Sequence, residues 1–343
     1  MKIAFTSDHK LESRCTHLKN TLQKYNFEIV NHNDASVSPD ADIWIIDYLY
    51  GTANYVDDNI KRFNEISVVA EKYKGKVLLM CLNDGCPLYA SRLPKSLTER
   101  IEGVIALNKQ IANKDTNKNL IEDKVILIPR YTIDYIPFKR NSIQKNKSFF
   151  VGRLTGDNFF NGKNWRIESL KLIEQANLIP EYFEGWLHSE DNKILGPRLG
   201  NNVEYFNTAV GIQNKQISHN DYLVQLQTYQ TSLCLPGNTA WGYRHLNSLA
   251  CKNTIISYEL SSNTDEWLFQ DVFNDSFYFL KKDLSNLCDI IKYAADNVDE
   301  SIFRAEQSYA AYCTYWELLP DNTYQDHVWN GIVNSFDKIG ISL

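Results

Sequence analysis

The stretch SLCLPGNTAWGYRHLNSLACKNTIIS, residues 232–257, sets a strand-like apolar run before a turn holding Pro236, Gly237 and Asn238. A helix-like run carrying Arg244 follows, and then a second apolar strand. The first turn of a helix leaves N–H groups unpaired and carries a partial positive charge, so a glycine turn and an arginine there make a seat for an anion. A second stretch of this kind, SFFVGRLTG over 148–156, ends a strand in Gly152, Arg153, Thr155 and Gly156, with Arg166 on the helix-like run after it. Carboxylates able to move a proton stand elsewhere: Asp8, Asp47 and Asp84 each follow an apolar run in the first half of the chain. Ser7, His9, Tyr48 and Asn83 lie beside them, and Glu184 with Gly185 marks one more strand in the second half. In open α/β sheets ligands bind beyond the carboxyl ends of the strands, which is why these residues form the candidate list. The first half therefore offers carboxylates and the second offers glycines and arginines, a division that suits an anion held by one half and proton chemistry supplied by the other.

Taken singly, each motif has a plainer reading. The GRLTG turn serves equally as an ordinary strand–helix connection, and Asp84 in NDG equally as a turn former. The histidines at 9, 17 and 219 form no metal set, and Cys81 with Cys86 has no second pair at zinc spacing. No GxGxxG, P-loop lysine, HExxH or GxSxG motif is present. The pair Asp57–Asp58 reads as a helix start, and no metal site is expected.

The elements that must position these residues come in two runs. KIAFTS (2–7), FEIVNH (27–32), DIWIID (42–47), KVLLMCL (76–82), GVIALN (103–108) and KVILIP (124–129) are continuous apolar runs, the pattern of strands buried on both faces of a parallel sheet. Helix-length segments at 12–25 and 58–73 lie between them. After Pro129 the chain turns polar and basic, and a second alternation begins at 148: helix 164–176, strand 181–186, helix 219–230, strand 231–237, helix 244–252, strands 254–259 and 276–280, helix 283–297 and helix 301–319. The expected fold class is α/β, with two doubly wound lobes.

With 343 residues the chain is long enough for two such lobes. A net charge of −6 argues against a general nucleic-acid binder. Seven scattered cysteines read as reduced thiols. The N-terminus MKIAFTSDHK is too short and polar for a signal peptide and no long apolar span occurs, so a cytoplasmic protein without a transmembrane segment is expected.

Four segments, in order, resemble the exostosin-like glycosyltransferases, a family with the two-lobed GT-B fold: LLMCLNDG (78–85), EDKVILIPR (122–130), SFFVGRLTG with Arg166, and DYLVQLQTYQTSLCLPGNTAWGYRHLNSLACKNTII (221–256). SFYFLKKDLSNLCDII (276–291) extends the likeness. The last of the four is the most specific, and a similar strand–glycine–arginine–helix segment occurs in the CAP10-like O-glucosyl and O-xylosyl transferases. The resemblance implies a lobe for the acceptor at 1–135, a linker at 136–147, a nucleotide-sugar lobe at 148–300, and C-terminal helices at 301–343 that cross back to the first lobe. It implies that the anion is the diphosphate of a nucleotide sugar, a UDP-sugar first among them, used as donor substrate with no further cofactor. Gly152, Arg153, Thr155, Gly156, Arg166, Pro236, Gly237, Asn238, Thr239, Ala240, Tyr243, Arg244 and Asn247 would hold it. The acceptor would be a glycan, glycolipid or glycoprotein, with no nucleic acid as partner and with room for peripheral membrane contact. Reaction by inversion would need a base, Asp84 first and Asp8 or Asp47 behind it. One departure stands out: many GT-B enzymes carry an acid three positions after the arginine, where this chain has Asn247, which hydrogen-bonds without charge. That departure keeps open a non-catalytic GT-B-shaped nucleotide- or glycan-binding protein. A nucleotide-sugar epimerase of the same shape, which would need no acceptor, is a second alternative.

Overall fold

The computed structural model describes residues 1–6, 18–19, 22–32, 36–47, 56–81, 93–106, 124–127, 145–152, 165–188, 210–213, 219–236, 242–258, 273, 275–315, 332–334 and 336–343. The chain forms two compact units. One comprises Met1–Ile133, Thr264–Trp267 and Asp321–Leu343; the other comprises Asp134–Asn263 and Leu268–Pro320.

The first unit is built on a six-stranded sheet of β1 (Lys2–Thr6), β2 (Glu28–His32), β3 (Ile43–Asp47), β4 (Lys76–Cys81), β5 (Ile101–Ala106) and β6 (Val125–Leu127), in the order β2-β1-β3-β4-β5-β6. Every pairing is parallel. All five residues of β3 are buried, which is why IWIID is apolar almost throughout rather than alternating. Helix α1 (Val56–Lys72) packs Phe63, Ile66 and Ala70 into the core of this sheet, and α2 (Lys95–Arg100) adds Leu97. Ile332, Phe336 and Ile341 belong to the same core. A Cβ built on Gly103 of β5 would run into Ile339, so the missing side chain there makes room for the C-terminal segment.

The second unit holds β7 (Lys145–Gly152), α3 (Trp165–Gln175), β8 (Phe183–His188), β9 (Val210–Gln213), α4 (His219–Gln227), β10 (Tyr229–Cys234), α5 (Tyr243–Ala250), β11 (Thr254–Tyr258), β12 (Tyr278–Leu280), α6 (Leu287–Asp296) and α7 (Val298–Tyr315). Its strands are again parallel, in the order β12-β11-β10-β7-β8-β9. Successive residues of β7 serve opposite faces, as strand geometry requires. Phe149 joins Leu223 and Leu226 of α4, and Phe150 joins Leu170 of α3 and Ile291 of α6. Both faces are therefore covered by helices, as expected of a doubly wound sheet.

Several boundaries differ from the sequence reading, among them three in the second unit. Strand β7 begins at Lys145, so the last three residues assigned to the linker are strand. Helix α4 stops at Gln227, and Tyr229 and Gln230, read as its continuation, open β10. Strand β8 runs to His188 rather than ending at Trp186. Among the described residues, Cys81, Cys234, Cys251, Cys288 and Cys313 carry thiols outside any disulfide. No described helix is long and apolar enough to cross a membrane.

Candidate functional site

Strand order decides where a ligand pocket forms. In the second unit the chain runs outward from β7 through β8 to β9, then returns to the other side of β7 with β10 before moving out to β11 and β12. The strands that follow β7 and β10 in the chain therefore lie on opposite sides of this pair, and the carboxyl ends of these neighbours make the topological switch point where such sheets hold ligands.

Arg244 lies across that point. Its Nε donates to the carbonyl of Val151 in β7 (2.8 Å) and its Nη1 to the carbonyl of Leu235, just past β10 (3.0 Å). The guanidinium carbon is 4.6 Å from the centroid of the Phe150 ring. Helix α5, which carries it, packs Leu246 and Leu249 with Cys234 and Ile255, whereas Phe150 belongs to the core on the opposite face. The side chain thus reaches over the edge of the sheet. A Cβ on Gly152 would overlap Nη2 of Arg244, so this position excludes a side chain because the guanidinium lies against its α-carbon. Nη2 itself makes no hydrogen bond to another described residue. An arginine pinned by two charge-assisted bonds and a ring has little freedom left to lose when it meets an anion.

Arg166 of α3 donates from Nε to the carbonyl of Pro236 (3.2 Å). Two arginines therefore hold the consecutive carbonyls of Leu235 and Pro236, fixing the course of the chain as it leaves β10. Gly152, Arg166, Pro236 and Arg244, separate in sequence, come together here. Asn247, three positions after Arg244 and half-buried, shares a hydrogen bond with the Tyr222 hydroxyl of α4. Burial pushes that hydroxyl's pKa well up, while the nearby Arg244 charge and the Asn247 bond act the other way. Arg153, Thr155, Gly156, Gly237, Asn238, Thr239, Ala240 and the Tyr243 side chain lie outside the described residues.

In the first unit the reversal of strand order falls between β1 and β3, and Asp47 is the last residue of β3, 5% exposed. Asp8 and Asp84, together with Ser7, His9, Tyr48 and Asn83, lie outside the described residues. Among the described residues no group of three His, Cys, Asp or Glu side chains is placed to hold a metal ion.

Glu184 does not belong with the strand-end candidates. It is the second residue of β8, paired in register with Phe149, and so stands toward the amino end of the sheet. Lys147 (2.8 Å), Tyr229 (2.6 Å) and Lys145 (3.1 Å) all donate to its carboxylate. Burial raises its pKa, but these bonds outweigh burial and hold it at about 2, below the ordinary 4.5. A carboxylate depressed in this way stabilises the fold above pH 4.5, and the contribution disappears as pH falls toward 2. Glu184→Gln is expected to cost about 1 kcal/mol at neutral pH, a modest figure because Lys145 is half exposed, and to flatten the acid limb of stability. Urea midpoints measured from pH 7 to pH 2 would show it, and parallel curves for the two proteins would contradict it.

Sequence reasoning missed the polar contacts that seat α5. His245, 1% exposed, accepts the Gly242 N–H on Nδ1 (3.1 Å) and lies 2.8 Å from the Ser257 hydroxyl through Nε2. Ser248 Oγ is 2.7 Å from both the Arg244 carbonyl oxygen and Ser232 Oγ. The available signal was the spacing Gly-x-x-His, in which histidine takes the place that Glu or Gln fills in a capping box.

No protein-family model matches this chain, and no curated protein matches it. Solved structures do. An alpha-glucosyltransferase in complex with UDP-glucose and DNA containing an abasic site superposes with a TM-score of 0.63 at 13% identity, covering 99% of this chain and all (100%) of that one. The chain has the GT-B fold. A glycosyltransferase from Rickettsia africae gives a TM-score of 0.54 at 13% identity, with 99% of each chain covered. An O-GlcNAc transferase mutant from Thermobaculum terrenum gives 0.56 at 9% identity, covering 99% of this chain and 67% of that one. At such identities the likeness speaks to the fold.

Proposed function

We propose that this chain is a glycosyltransferase moving a sugar from a nucleoside diphosphate sugar, a UDP-sugar first among them, to a hydroxyl of a glycan, glycolipid or glycoprotein acceptor. The observation that carries this reading is the pinned Arg244 guanidinium at the β7/β10 switch point, beside the start of α5. A diphosphate placed there meets a fixed positive charge and helix N–H groups together. Support for a UDP-sugar comes from the solved alpha-glucosyltransferase of the same fold, which is described with UDP-glucose. That protein is also described with DNA, but the net charge of −6 here favours a different acceptor. The order helix, strand, arginine-bearing helix, strand across 221–256 is in keeping with the resemblance to exostosin-like enzymes.

In the proposed reaction the bond between the sugar's anomeric carbon and the diphosphate oxygen breaks as the acceptor oxygen attacks. The bonding pair leaves with the diphosphate, whose growing charge Arg244 and the N–H groups stabilise without a metal ion. Inversion assigns the acceptor's proton to a carboxylate of the first unit, Asp84 ahead of Asp8 and Asp47. Calorimetric titration with UDP, UDP-glucose, ADP and GDP tests the reading. We expect binding by one nucleotide series, with UDP the strongest, and no nucleotide binding at all would overturn it.

A further inference from the structure

Of the four N–H groups that a helix start leaves unpaired, two in α5 are consumed within the chain. Gly242 N–H donates to His245 Nδ1 (3.1 Å), and His245 N–H donates to the Gly242 carbonyl (3.0 Å). Those of Tyr243 and Arg244 make no hydrogen bond to a described residue. The imidazole is held from its far side as well. The Ser257 hydroxyl donates to the Tyr258 carbonyl (3.2 Å), which leaves its oxygen to accept from Nε2 (2.8 Å). Both contacts are satisfied by one species only, a neutral imidazole with its proton on Nε2, because Nδ1 must accept from an N–H. Gly242, in extended backbone (φ −141°, ψ 172°), has no side chain to offer in return, and the space its Cβ would occupy is open.

We infer that His245 is a positioning residue for the donor site: its Nε2-protonated imidazole ties the first residue of the Gly242–Arg244 turn to the end of β11. This inference rests on the proposed nucleotide-sugar site and goes further, by saying how that site is aimed. Withdrawing the Gly242 and His245 N–H groups leaves the Tyr243 and Arg244 amides, next to the Arg244 side chain, as the donors available to a diphosphate. The anchor on β11 sets their position relative to the β7/β10 strand ends. Histidine does here what Glu or Gln does at the third helical position, reaching back to the N-cap amide.

The test uses the full chain with UDP as probe, comparing wild type, His245→Ala, His245→Gln and Ser257→Ala. Loss of the tie should weaken UDP binding about five- to tenfold in His245→Ala, the scale of one lost cap. Glutamine should bring affinity back to within about threefold, since its amide oxygen can take the Gly242 N–H. Ser257→Ala, which removes only the far anchor, should fall between them and covers the case in which His245→Ala does not fold. A ligand-free readout accompanies these: ¹⁵N shifts of the His245 ring should show an unprotonated Nδ1 and a protonated Nε2. His245→Ala binding UDP like wild type, no rescue by a folded His245→Gln, or a proton found on Nδ1 would each overturn the inference while leaving the proposed function intact. A wild type that binds no UDP would overturn the proposed function and this role with it.

Discussion

Replacing Arg244 with alanine is expected to weaken UDP binding about 100-fold, close to 3 kcal/mol, the range for losing a charge-assisted contact to phosphate in a preformed site. The physical basis is the double fixing of the guanidinium by the Val151 and Leu235 carbonyls and its packing on Phe150. Lysine is the sharper variant. It keeps the charge, but its single ammonium cannot bond both carbonyls and leave an edge for the ligand. Arg244→Lys should therefore lose about tenfold or more in affinity despite an unchanged net charge. Both variants should also lose about 1–3 kcal/mol of stability, because two strand-end carbonyls lose their donor. Gly152→Ala approaches the same geometry from the backbone. A methyl group there competes with Nη2 for space, and the pinned arginine has no easy retreat. It should weaken UDP binding while leaving the Val151 and Leu235 carbonyls in place. Calorimetric titration alongside urea unfolding separates affinity from stability. Full UDP affinity in Arg244→Lys would reduce the arginine to a strut between strands.

Much of the frame was legible in the sequence, for a reason particular to parallel sheets. A strand covered on both faces needs no polar alternation, so IWIID of β3 and TIISY of β11, each wholly buried, read directly as strands. Legibility failed where burial is partial or the polar partner is remote. Lys145 and Lys147 look like linker residues until Glu184 on the neighbouring strand supplies their partner. Strand β9, only VGIQ, gives too short a run to stand out in its polar surroundings. Tyr229 continues the helical spacing of Leu223 and Leu226, yet its ring stacks on Phe149 at 4.0 Å from within β10. The candidate site divides in the same way. Gly152 and Arg244 each looked notable alone, but the reason for the glycine, a guanidinium from a helix far along the chain, is a tertiary fact. His245 gave only the Gly-x-x-His spacing as a cue, and its two hydrogen bonds, one of them to Ser257 on β11, are tertiary facts.

Asp84→Asn is expected to reduce sugar transfer about 1,000-fold, within the range for removing a general base, and to leave UDP affinity unchanged. Asp84 follows the last residue of β4 by three positions, and β4 is an interior strand of the first unit's sheet. The substitution keeps size and hydrogen-bonding capacity but removes the lone pair that can take the acceptor's proton at neutral pH. The alternative Asp47 behaves differently on physical grounds. It is almost fully buried at the end of β3, so Asp47→Asn should disturb the unit's stability along with any effect on turnover. A base shows a fall in turnover with an unmoved urea midpoint, whereas a structural carboxylate moves both. The anomeric configuration of the product closes the argument. An inverted product with turnover lost only in Asp84→Asn assigns the proton to Asp84. Turnover retained in Asp84→Asn with an inverted product passes the role to Asp8 or Asp47. A retained configuration removes the need for that base, because the acceptor's proton must then follow a route set on the donor side.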